Sequence, residues 1–70
     1  MLINSLKEFR ARHNLTQEDL AQQVGVTRQT IIAIEKGRFN PSVFLALKMA
    51  RVLHASVEEL FQLRDGTNEL

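Results

Sequence analysis

Apolar residues recur along the chain at intervals of three and four, and each run is bracketed by residues that start or stop a helix. The first run carries Leu6 and Phe9. Ser5-Leu-Lys-Glu8 has the spacing of a capping box, which predicts a start at Asn4 or Ser5, while His13-Asn14 predicts a stop because asparagine tolerates the left-handed backbone. Thr16 caps a second run with Leu20, Ala21 and Val24 on its inner face, closed by Gly25. Thr27 caps a third over residues 28–36, which turns Ile31, Ile34 and Glu35 to one side and ends at Gly37. Gly37-Arg-Phe-Asn-Pro41 reads as a loop, since proline disfavours helix at the residue before it. Ser42 caps a fourth helix over residues 43–53, apolar at 43, 46, 47, 50 and 53 and again at 44, 45, 49 and 52. A helix apolar nearly all round predicts the central, most buried element. Ser56-Val-Glu-Glu59 is a further capping box, for a short fifth helix holding Val57, Leu60 and Phe61. No stretch alternates with the period of a strand, so the expected fold is all-α: one domain over residues 1–64 and a flexible tail over 65–70, from Asp65-Gly66 onward.

Composition bounds this picture. Seventy residues are expected to hold one domain, without a second, sensing one. At 44% hydrophobic and 24% charged, the chain falls in the globular class, neither disordered nor membrane-spanning. Its longest apolar stretch, residues 43–53, is interrupted by Lys48 and Arg51 and is well short of the roughly 20 residues a bilayer span needs. The start lacks a basic region leading into an apolar run and a cleavage site, so a cytoplasmic location is expected. With no cysteine, and with His13 and His54 far apart in sequence, neither a disulfide nor a metal staple is expected, and helix packing or oligomerisation has to supply stability. The net charge of +1 hides an asymmetry. Residues 1–51 carry eight Lys/Arg against four Asp/Glu, and residues 52–70 one against four, which suits a basic working body facing a polyanion with the acidic end turned away.

The second and third helices, joined by about three residues, have the proportions of a helix-turn-helix, in which one helix braces across the DNA backbone while the next enters the major groove. Ala21 is small where the two cross, Gly25 opens the turn, and Leu20, Val24, Val26, Ile31 and Ile34 form their shared core. With Ile31, Ile34 and Glu35 pointing inward, Gln29, Ile32, Ala33 and Lys36 point outward, flanked by Arg28 and Thr30. Arg28, Gln29, Thr30, Ile32 and Ala33 are therefore the candidate base readers. Arginine bonds guanine in bidentate fashion and glutamine adenine, Thr30 or Ile32 can pack on a thymine methyl, and Ala33 permits close approach. Ile32 has an alternative, burial beside Ile31. Gln17 and Thr27 stand at helix starts, where free N–H groups and the positive dipole end attract phosphate, and Lys36 joins them as a phosphate candidate.

The stretch Leu15-Thr-Gln-Glu-Asp-Leu-Ala-Gln-Gln-Val-Gly-Val-Thr-Arg-Gln-Thr-Ile31, continuing through Ile34-Glu-Lys-Gly-Arg-Phe-Asn-Pro-Ser42, resembles the phage-repressor/Cro (Xre) type of helix-turn-helix regulator. The likeness runs from about Leu6 to Phe61. It implies a five-helix, lambda-repressor-like domain that binds double-stranded DNA as a transcriptional regulator, in the first instance a repressor, commonly as a homodimer on a two-fold operator. It also implies phosphate contacts from Arg38 and Asn40 in the loop after the reading helix, and a structural ion pair between Arg10 and Glu35. His54 and Phe44 depart from the family pattern, which more often has Gly or Asn at the first position and a polar residue at the second. The resemblance implies dimerisation around the last helix, with Phe44, Leu60 and Leu63 as candidate interface residues; for the surplus apolar surface of the fourth helix and Leu63, extra core is the alternative.

Other classes fit less well. Ser5, Ser42 and Ser56 all occupy cap positions, and the histidines have no neighbouring partner for base chemistry, so no enzyme, cofactor, metal or small-molecule ligand is expected. The rival reading is a protein-binding role on the same fold, as an antitoxin or a regulator-binding adaptor. Against it stand Arg28, Gln29, Arg38 and the basic body, which keep the chemistry of DNA reading.

Overall fold

A computed structural model describes residues 1–64; the tail expected at 65–70 lies outside the described residues. In chain order the elements are β1 (Leu2–Asn4), α1 (Leu6–Arg12), α2 (Gln17–Val24), α3 (Arg28–Glu35), α4 (Val43–Val52), α5 (Val57–Leu60) and β2 (Phe61–Leu63). Four of the five helices among the described residues stop in one way. One or two residues past the helix the chain turns left-handed, at φ 56° for Asn14, 79° for Gly25, 75° for Gly37 and 53° for His54. The next N–H then reaches back five residues, Leu15 to Arg10, Val26 to Ala21, Arg38 to Ala33 and Ala55 to Ala50, satisfying carbonyls the helix end leaves free. His54 carries a side chain in a conformation that glycine or asparagine adopts more easily.

The starts follow the same local logic. Thr16 accepts a bond from the Asp19 N–H, and its own N–H donates to the Asp19 carboxylate; Ser56 and Glu59 repeat this box, and Ser42 accepts from the Leu45 N–H. Ser5 departs from expectation, for its hydroxyl caps nothing. Its N–H donates to the Leu60 carbonyl at 2.9 Å, and its backbone, at φ −113° and ψ 26°, is not extended as a capping residue normally is. The Asn4 side chain takes over, accepting from the Leu6 N–H at 3.1 Å.

The helical architecture carries one addition that the sequence reading lacks. β1 and β2 pair antiparallel in the register Leu2↔Leu63, Ile3↔Gln62 and Asn4↔Phe61, and the Arg64 N–H extends the ladder to the Met1 carbonyl. Phe61, expected in the last helix, is instead extended at φ −132° and ψ 133° and opens β2. Three residues are too few to display a period of two, so only the pairing reveals the strands.

Leu6, Leu20, Ile31, Met49, Leu53 and Leu60 are fully buried, and the core spans all five helices. Helix α4 is central, yet it is two-faced. Leu45, Ala46, Met49 and Ala50 lie inside, whereas Val43, Phe44 and Leu47 are 77%, 72% and 56% exposed. A helix can press only one stripe against its neighbours, so an apolar far side stays in water. The same burial corrects the candidate interface set: Leu60 belongs to the chain's own core and offers no surface, while Phe44 and Leu63 are exposed. Leu60→Ala is accordingly expected to cost about 2–5 kcal/mol in urea unfolding, independent of protein concentration, whereas Leu63→Ala stays within about 0.5 kcal/mol in dilute protein.

Candidate nucleic-acid interface

Helices α2 and α3 meet at a turn set by two residues. Gly25 supplies the left-handed step, and both its N–H and that of Val26 return to the Ala21 carbonyl, so α3 leaves at a fixed angle to α2. Thr27 then starts α3, accepting from the Thr30 N–H at 3.3 Å and sharing a hydroxyl–hydroxyl bond with Thr30 at 3.2 Å. Leu20, Ala21, Val24, Ile31 and Ile34 are buried between these helices and the rest of the core.

A polar cluster locks α3 from behind. Arg10 on α1 donates through Nε to Glu35 Oε2 at 2.8 Å and through Nη2 to Oε1 at 3.3 Å, and its Nη1 donates to the Leu15 carbonyl at 2.9 Å. Gln17, at the start of α2, donates to Glu35 Oε1 at 3.1 Å. Three helices thus converge on one carboxylate, with the Glu35 side chain 7% exposed and that of Arg10 13%. A carboxylate in the last turn of a helix opposes the helix dipole, and the guanidinium offsets that penalty.

The candidate base readers divide. Arg28 and Gln29 are exposed on the first turn of α3, free to reach outward. Thr30, Ile32 and Ala33 are half-buried, and the Thr30 hydroxyl is engaged with Thr27. Among the phosphate candidates, Thr27, Lys36, Arg38 and Asn40 are exposed, whereas Gln17 is half-buried and drawn inward by Glu35. Two positions escaped the sequence reading. Lys48 Nζ stands 3.5 Å from where a β-carbon on Gly25 would lie, and so brings a cation to the end of α2, whose own last turn has none. The Asn4 amide donates to the Ile34 carbonyl at 2.9 Å. Neither carries a sequence signal, because each acts across the fold on a distant element.

Two helices joined by a tight turn, the second braced by its neighbours with its first turn facing outward, define a helix-turn-helix protein. A helix-turn-helix family model matches residues 6–60, and the chain belongs to that family, of the Xre type. It is 56% identical over 62 residues to an uncharacterized HTH-type transcriptional regulator of Methanocaldococcus jannaschii, covering 89% of this chain and 94% of that protein. It is 30% identical over 60 residues to the cryptic phage CTXphi transcriptional repressor RstR of Vibrio cholerae, covering 86% of this chain and 54% of that one. The N-terminal DNA-binding domain of SinR from Bacillus subtilis superposes with a TM-score of 0.71 at 29% identity, over 91% of this chain and 90% of that domain.

Removing one member of the cluster leaves the other charge stranded, so Glu35→Ala is expected to lower unfolding free energy by about 3 kcal/mol in a denaturant titration. The Asp19 carboxyl is held below its ordinary value of 3.8 by bonds from the Thr16 N–H and hydroxyl. A depressed folded value contributes stability above the unfolded value that is lost as pH falls through the folded one. Wild type should therefore exceed Asp19→Ala in thermal stability near neutral pH, with the difference closing below pH 3.8.

Proposed function

We propose that this DNA-binding transcription regulator acts as a repressor, a cytoplasmic homodimer that reads a two-fold operator with α3 in the major groove. The observation that carries this reading is the exposure of Arg28 and Gln29 on the first turn of a helix whose opposite side is locked by Glu35. Arg28 suits a guanine and Gln29 an adenine. Thr30, Ile32 and Ala33, half-buried behind them, line the approach and contact a thymine methyl where they reach it. Around this reading edge, Thr27, Lys36, Arg38 and Asn40 bind phosphate through charge, amide or main-chain N–H, and Gln17 contributes chiefly the main-chain N–H at the start of α2.

Phe44, Leu63 and the exposed Val43 and Leu47 supply the apolar surface for pairing with a second copy, around a groove lined by Leu2, Pro41, Val57 and Phe61. The relation to a phage repressor supports repression by occupancy of the operator. Selection of bound duplexes from a random library tests the reading directly. It requires an enriched two-fold motif with half-sites about one helical turn apart, and fails if nothing is enriched and binding vanishes with added salt. On the selected operator, Arg28→Ala is expected to relax preference at one base pair per half-site by about 1–3 kcal/mol. Arg38→Ala should instead weaken specific and random DNA alike and reduce the salt slope by about 1, both read by fluorescence anisotropy.

A further inference from the structure

The end of the reading helix is fastened from an unexpected direction. The Ile34 carbonyl accepts two bonds, from the Gly37 N–H at 3.0 Å and from the Asn4 side-chain amide at 2.9 Å, which fills both of its lone pairs. The other end of the same amide, Asn4 Oδ1, accepts from the Leu6 N–H at 3.1 Å. A carbonyl can only accept and an N–H can only donate, so the orientation of this amide is fixed by chemistry. Asn4 also sits in β1 opposite Phe61, so its backbone is held by the sheet. One residue therefore ties three things together: the β1–β2 pairing, the start of α1 and the last turn of α3.

We propose that Asn4 is a positioning residue for DNA reading, through which the β1–β2 sheet fixes the tilt of α3 and the course of the loop that follows it. Gly37 and Arg38 make their turn bonds to Ile34 and Ala33, so the same anchor sets where Arg38 and Asn40 leave the helix. Asn4 touches no base or phosphate in this scheme; it acts through α3. The inference rests on the reading face proposed above, and sub-ångström misplacement of that face weakens the bidentate contacts that discriminate between bases more than it weakens contacts to phosphate.

The chemistry of the amide gives a selective test. Asn4→Asp keeps an oxygen for the Leu6 N–H but sets a carboxylate against the Ile34 carbonyl, breaking only the link to α3. Asn4→Thr, uncharged and compatible with a strand, keeps a hydroxyl near the Leu6 N–H and cannot span to Ile34. Each variant is titrated by anisotropy against the selected operator, against operators with one base changed, and against random duplex at equal salt, and its amide exchange is followed by NMR. Expected are a loss of about five- to tenfold in the ratio of operator to single-change binding, random-duplex binding altered by no more than the added charge explains, and faster exchange at Gly37 and Arg38 with Leu6 still protected. The proposal is overturned if both variants keep the wild-type ratio, or lose stability and all DNA binding in step with the ratio unchanged. A wild-type protein with no base preference would instead remove the reading face itself, a separate failure.

Discussion

Everything that faces outward from α3 depends on the carboxylate of Glu35. An eight-residue helix has little stability of its own in water and must be held by its neighbours, at its start by the turn through Gly25 and the Thr27 cap and at its last turn by Glu35. Glu35 does this by gathering Arg10 from α1 and Gln17 from α2 onto a side chain almost withdrawn from solvent. A buried ion pair adds little net stability compared with an apolar pair of the same size, but it does impose geometry, because charge and donor directions must match. The cluster is better understood as a fixture than as glue. Bulk cohesion comes from the apolar core, with its fully buried leucines and isoleucines.

The helices around that fixture are short and end decisively. Left-handed residues at Asn14, Gly25, Gly37 and His54 each turn the chain within two residues and satisfy carbonyls at the helix end. The result keeps α2 and α3 in close register, with Lys48 approaching the turn between them from α4. The polar surface then sorts itself: residues whose polar groups are engaged internally, such as Gln17 and Thr30, sit back, while Arg28, Gln29 and Arg38 are exposed.

Features that depend on neighbouring residues were legible in the sequence. Caps at Thr16, Thr27, Ser42 and Ser56 and stops at Asn14, Gly25 and Gly37 are contained within a few positions, so the helix borders and the turn between α2 and α3 could be read directly. Illegible were the features made by distance along the chain. Ser5 has a good local capping pattern, yet pairing with Leu60 overrides it. The face of α4 that meets water could not be told from the face that meets the core, because both are apolar. Leu60 looked like interface material only because its place beneath α4 depends on how the chain returns. The bonds from Asn4 to Ile34 and from Gln17 to Glu35 join residues 30 and 18 positions apart, and no periodicity announces them. For the proposed reading face, sequence supplied the helix and its outward residues, while the structure supplied which of them are exposed.

The pairing of β1 with β2 joins positions nearly a whole chain apart: Asn4 and Phe61 are 57 residues from one another. Closing so large a loop costs configurational entropy that local helix contacts do not incur, and only three register pairs offset it. On that ground the sheet is expected to form late in folding, after the helices have docked and brought β1 and β2 together. In kinetic terms the molecule has a fast-forming interior and a slow-forming clasp. Loss of the strand pairing would then act on the unfolding rate more than on the folding rate, so the clasp bears on how long the native state persists rather than on how quickly it is reached.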